Sequence, residues 1–332
     1  MTPPRSPRRH PRLTLLLATL AAVLALAFTY PPSLPAFVAP RHAPPPPPLA
    51  TAEPIGASAA VDMVQSMPGD SVQFPVRLDD DSLSMRYQWV AVGDTVSMAL
   101  TRPLDRKALT APSAPGFYRL AIVRDTTTLV LDRPVLAVMI PFAEKKGAVL
   151  NGYRIGTYRG ERRGSDAHPD GFFPVQPADT DVSVSAHLRL ADFITHDSQQ
   201  DVWPKYVALT PRLLDKVELV AAELERRAGR SGRMQLELDV HSGFRTPSYN
   251  RTVPRAADDS RHQYGDAADI AVDANGDGRV NAADARLVAD AVEAVEAAHP
   301  DLTGGLGIYT SSRYPVPYVH IDARGERKRW RG

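Results

Sequence analysis

Hydrophobic and polar positions change their rhythm twice along this 332-residue chain. Residues 13–30 carry no charge, so that stretch is apolar on every side, and Arg5, Arg8, Arg9 and Arg12 form a positive flank before it. This is the pattern of an export segment. Ala25-Leu26-Ala27 offers a small-residue cleavage site, which gives a removed signal peptide. The stretch also approaches the roughly 20 residues of a membrane-spanning anchor, with the arginines kept inside. Both readings of residues 1–30 stand. Residues 31–55 are rich in proline, with an unbroken proline run at 44–48, which favours extended polyproline II and a semi-rigid linker.

Between residues 56 and 145 the period is two. Val72-Gln73-Phe74-Pro75-Val76-Arg77-Leu78 alternates, as do residues 87–92 and 117–123, and Pro68-Gly69-Asp70 and Ala114-Pro115-Gly116 supply turns. Short strands at regular turns predict a small all-β sandwich. The Gly116-Phe117-Tyr118 start of one strand resembles the corner strand of immunoglobulin-like modules. This region carries no chemistry, and a structural or spacer role is expected for it. After a connecting segment at 146–182, residues 183–332 switch to longer periods. Thr210-Pro211 reads as N-cap and first helical residue, Leu213, Leu214, Val217, Val220, Ala221 and Leu224 recur at helical spacing, and Gly229 ends the run. Leu236, Leu238 and Val240 then alternate with polar residues, predicting a strand that runs into Ser242-Gly243-Phe244-Arg245.

Composition narrows the function. At 43% hydrophobic and 23% charged residues the chain can bury a core. The net charge is +1, yet five of the bases and no acid precede Glu53, so the remainder is net acidic and lacks the basic field that holds nucleic acid. The absence of cysteine excludes disulfides, thiolate zinc sites and a cysteine nucleophile. Any metal falls to His, Asp and Glu.

Such residues stand together in Ser260-Arg261-His262-Gln263-Tyr264-Gly265-Asp266-Ala267-Ala268-Asp269 and in Tyr318-Val319-His320-Ile321-Asp322. His262, Asp269 and His320 make a three-ligand set that leaves a fourth position open, the arrangement a catalytic zinc requires to acidify water. At these residues the chain resembles the zinc D,D-peptidase family of D-Ala-D-Ala carboxypeptidases, dipeptidases and peptidoglycan endopeptidases. The family's motifs occur in order as Ser242-Gly243-Phe244-Arg245 with Asn250, then Ser260 through its histidine to Asp269, then His320, over about residues 183–330. A further family-like segment is Val184-Ser185-Ala186-His187-Leu188.

The resemblance implies an α+β zinc D,D-peptidase-like domain at 183–332 that hydrolyses D-amino-acid-containing stem peptides or cross-links of peptidoglycan on the periplasmic or wall-facing side of the membrane. It implies zinc on His262, Asp269 and His320, Arg245 as the cation holding a substrate carboxylate or carbonyl, and Ser260 as a site hydroxyl. A planar guanidinium suits that task. Asp266 reads as a solvated surface carboxylate.

One departure stands out. Where many members of the family carry an acidic general base three residues before the last histidine, this chain has Pro317. Residues two apart in a strand face the same side, so Asp322 projects beside His320 and is the candidate base, with the orienting of a ligand as its other reading. His241 is a further candidate. Without a base the domain is a peptidoglycan-binding module and not an enzyme.

A second motif follows at 273–284. Asp273, Asn275, Asp277, Asn281 and Asp284 place oxygen side chains at loop positions 1, 3, 5, 9 and 12, Gly278 stands at position 6 for the sharp turn, and Arg279 offers its carbonyl. The loop resembles an EF-hand of the dockerin sort and predicts structural calcium that fixes the strand end bearing Asp269. A calcium-dependent interaction module is the alternative.

Overall fold

The computed structural model describes residues 49–78, 84–104, 108–229 and 236–332. The apolar stretch at 13–30 and the proline run at 44–48 lie outside the described residues. Among the described residues no helix is long and apolar enough to cross a membrane.

The first layer is a five-stranded sheet of β1 (Met63–Ser66), β2 (Arg86–Ala91), β3 (Arg102–Pro103), β4 (Gly116–Arg124) and β5 (Thr127–Val138), in the order β1-β5-β4-β2-β3. The strands expected at 87–92 and 117–123 are β2 and β4. The one expected over 72–78 is broken. It forms two short pieces, Ser71–Val72 and Val76–Leu78, on either side of Pro75, which has no N–H to give a ladder. Each piece pairs into a two-stranded ribbon, with Leu109–Thr110 and Ala50–Ala52 respectively. Among the described residues these ribbons stand where a sandwich would have a second full sheet. Tyr118 ties its own strand to the preceding turn by donating from its hydroxyl to the Ala114 carbonyl, at 2.8 Å.

Alternation along β5 explains how this layer joins the rest. Leu136 and Val138 point into a small core with Val72, Phe74, Leu109 and Leu120. Val135 and Ala137 point the other way, into the large core. That second core continues through Leu150, Tyr153, Ile155, Tyr158 and Phe172, so the connector at 146–182 is itself packed inside. There β6 (Gly171–Val175) pairs with β7 (Lys205–Val207).

The remaining elements build the platform that matters for chemistry. Strands β8 (Asp239–Ser242), β9 (Ala267–Ala271), β10 (Gly305–Tyr309), β11 (Tyr318–Asp322) and β12 (Lys328–Arg331) form a sheet ordered β8-β9-β11-β10-β12. One face presents Ala268, Ile270, Val319, Ile321 and Leu306 to the core. Helices α1 (Pro211–Arg227) and α2 (Ala282–Ala298) supply the facing apolar residues, with α2 against α1, β10 and β11. Fully burying each Leu, Ile or Val contributes roughly 1.5–3 kcal/mol, and this seam holds more than ten. α1 starts where the sequence places it, with Thr210 accepting from the Leu213 amide and Pro211 first in the helix. The strand expected from Leu236 begins only at Asp239, although Leu236 is buried.

Candidate metal centre

The other face of that sheet carries small residues between its functional side chains. Ala267, Ala271, Gly305 and Gly307 leave room above it, and the functional side chains rise through the gap. Register places Ser242, Asp269, His320, Gly307 and Trp330 in one row across all five strands. The third ligand arrives from outside the sheet, on the 3-10 turn Arg261–Tyr264. Gly265 ends that turn at φ +71, and a Cβ there would run into the backbone of Ala208 and Leu209. Only glycine lets the turn tuck in, and its carbonyl then accepts from the Thr210 amide at 2.9 Å.

The three expected metal ligands do come together. His262 Nε2, His320 Nδ1 and Asp269 Oδ1 lie 2.9 to 3.2 Å from one another, all buried. Each histidine has its other ring nitrogen engaged. His262 Nδ1 stands 2.7 Å from the Gly243 carbonyl, and His320 Nε2 stands 3.1 Å from Asp322 Oδ2. With the proton on the nitrogen that faces Gly243 or Asp322, the opposite nitrogen of each ring presents a lone pair. Two such lone pairs and a carboxylate oxygen then point at one spot. Two ring nitrogens and a carboxylate oxygen this close together could hold a metal ion, and this N, N, O set suits zinc. Burial pushes the His262 pKa down, favouring the neutral ligand form. Burial raises Asp269, but the two imidazoles outweigh it and hold the carboxyl well below its usual range.

Arg245 is brought to the same place in a different posture from that expected. Its Nη2 donates to Asp269 Oδ2 and its Nε to Ser242 Oγ at 2.6 Å, so it steadies the carboxylate of a candidate ligand. Only Nη1 has no partner among the described residues. Ser260 lines the adjoining cleft. Asp266 is not solvated: it is buried and ion-paired with Arg261, because β9 draws it inward beside β11.

Asp322 lies on the His320 side of β11, as the strand period requires, but its carboxylate is fully engaged. Oδ1 accepts from the Gly305 and Arg324 amides, and Oδ2 meets Arg324 and the far nitrogen of His320. Those contacts hold its pKa far below the carboxylate range against the pull of burial. The group meets the ring nitrogen of His320 opposite the His–Asp–His cluster, which is the geometry of its other reading, the orienting of a ligand. His241 is the extra residue of a bulge in β8, lining a small pocket of about 190 Å³ beside Arg245 and Asp269.

A larger cleft of about 840 Å³ opens over the row. Two chemically distinct groups line it: charged residues of the 253–261 loop with Arg159, and the aromatics Tyr309, Tyr314, Tyr318 and Trp330. Tyr309 and Tyr318 stack at 4.5 Å, and Trp330 lies over Gly307, 5.1 Å from the His320 ring, with Nε1 donating to the Tyr309 hydroxyl. Sequence reasoning missed Trp330 and Arg159. Only the bare Gly307 hints at the first, and the second lies far from the motifs.

In the 273–284 loop the Asp273 carboxylate accepts from the amides of Gly276, Asp277 and Gly278, and Asp277 Oδ1 accepts from Arg279. The buried Asp284 accepts from Ala274 and Asn275 and reaches back to the Asn281 amide, while Asn281 caps α2.

A protein-family model described as Peptidase M15 matches residues 223–322, less than a third of the chain, and that span holds His262, Asp269, His320 and Arg245. Searches of curated proteins and of solved structures found no similar chain.

Proposed function

We propose that this chain is an exported zinc peptidase that hydrolyses D-amino-acid-containing stem peptides or cross-links of peptidoglycan. The observation that carries the reading is the convergence of His262 Nε2, His320 Nδ1 and Asp269 Oδ1 inside the family-matched segment. These three residues would hold the zinc, which when bound supplies Lewis-acid polarisation of a peptide carbonyl and an acidified water. The chain's own groups do the rest. Asp322 and Gly243 fix the histidine tautomers, Arg245 orients Asp269 and offers Nη1 to a substrate carbonyl or carboxylate, and Ser260 lines the cleft. The charge-free stretch at 13–30 supports a wall-facing location, either released or anchored.

The experiment is digestion of purified peptidoglycan and of soluble stem peptides by the zinc-loaded protein and by His262→Ala, with products read by mass spectrometry. Zinc-dependent products absent from the variant support the reading, and loss of one D-Ala against scission of cross-linked dimers assigns the subclass. A second reading, binding without cutting, draws on Pro317 and on the engagement of Asp322. Tight peptidoglycan binding with zinc at one equivalent and no product would establish it.

The spacing of Asp273, Asn275, Asp277, Asn281 and Asp284 supports a structural calcium ion in the same protein, with the Arg279 carbonyl completing the loop. Removing calcium while zinc stays saturated should then lower the melting temperature. An unchanged melting temperature and activity would defeat it.

A further inference from the structure

The cations around the cleft are not equivalent. Arg245 has only Nη1 clear of Asp269 and Ser242, Arg261 is paired with Asp266 and Arg324 with Asp322, while Arg255 and Lys328, which also line the cleft, are exposed at the surface. Arg159 differs. Its Nη1 stands 3.7 Å from Asp259 Oδ2, outside hydrogen-bond range, and Asp259 already takes the Tyr264 hydroxyl on Oδ1 at 2.5 Å. About a third of the Arg159 side chain is exposed, and it lines the same cleft as His262 and His320.

Its backbone is nonetheless firmly held. The neighbouring Glu161 accepts from the Tyr158 amide at 2.7 Å and pairs with the buried Lys145. Arg162 grips both oxygens of Asp258 at 2.9 Å, tying this short turn to the loop that leads to His262. An arginine that is anchored at its base, weakly paired at its tip and open to the cleft is preorganised for a carboxylate brought from outside. The segment that carries it lies before the family-matched residues 223–322.

We propose that Arg159 is a specificity-determining residue that binds a carboxylate of the peptide other than the group being cleaved, selecting acidic stem peptides over their amidated counterparts. The inference rests on the peptidase reading and names its substrate class.

The test uses two stem peptides identical except that one carboxylate is replaced by a carboxamide. The zinc-loaded wild-type protein should favour the carboxylate form by about tenfold in kcat/KM, expressed in KM. In Arg159→Gln the ratio should fall to near one, and Arg159→Lys should keep part of it. Asp259→Asn, which removes the competing carboxylate, should raise it. A wild-type ratio near one overturns the proposal without needing any folded variant, and so does an Arg159→Gln ratio equal to that of wild type. Cleavage of neither peptide is a different result: it removes the peptidase reading and the inference together.

Discussion

Asp322 holds His320 by the ring nitrogen that faces away from Asp269. The contact is 3.1 Å to Nε2, while Nδ1 stands 2.9 Å from Asp269 Oδ1. One imidazole thus bridges two carboxylates, one in the ligand cluster and one behind it.

Replacing Asp322 with Asn should therefore weaken zinc binding by about 10–100-fold, measured by competition with a chromophoric chelator, and excess zinc should restore much of the activity. If Asp322 were the proton acceptor, the variant would keep its zinc affinity and lose turnover at full occupancy.

Gly307→Ala should displace Trp330, since a Cβ at that position falls inside the indole. Overpacking of this kind costs about 1–3 kcal/mol. Urea unfolding should report the loss, and tryptophan fluorescence should shift as Nε1 leaves the Tyr309 hydroxyl.

His187 sets a pH dependence remote from the metal centre. Its Nδ1 lies 2.7 Å from the buried Glu218, with Glu225 farther off at 3.6 Å, and the bond to Glu218 raises its pKa above 6.5 against the effect of burial. A raised folded-state pKa gives stability that is complete below the unfolded value and lost as pH rises through the folded one. The melting-temperature gap between wild type and His187→Gln should accordingly be wider at about pH 5.5 than at about pH 8.5. An equal gap at both would dismiss the ion pair.

Lys216 is wholly buried, donating to Glu296 at 2.6 Å and to the Asp322 carbonyl at 2.7 Å. Lys216→Met should cost about 3 kcal/mol in urea unfolding, because it leaves Glu296 with less compensation, and adding Glu296→Met should recover part of that.

Much of the site was legible because its residues are local in sequence or set by strand period. His262 and Asp269 fall within one short motif, and the alternation of β11 places Asp322 on the side of His320. Which nitrogen Asp322 meets was not legible, since it depends on the His320 ring orientation fixed by partners on three other segments. Asp266 was misplaced for a similar reason: only the packing of β9 beside β11 shows that it is buried with Arg261. The helix at 211–227 could be read from its cap and period, whereas the strand at 72–78 failed because alternation outvoted Pro75. Arg159 and Trp330 reach the cleft through tertiary packing, which leaves no spacing to detect.

The double allegiance of β5 has a consequence for modularity. Because Leu136 and Val138 serve one core while Val135 and Ala137 serve the other, the β layer and the platform that carries the His–Asp–His cluster share a wall. Cutting the chain after residue 145 would strip an apolar face from the platform and expose it to water and to aggregation. The two halves should melt in a single cooperative transition, and recombining the platform with a foreign partner would require carrying this strand along.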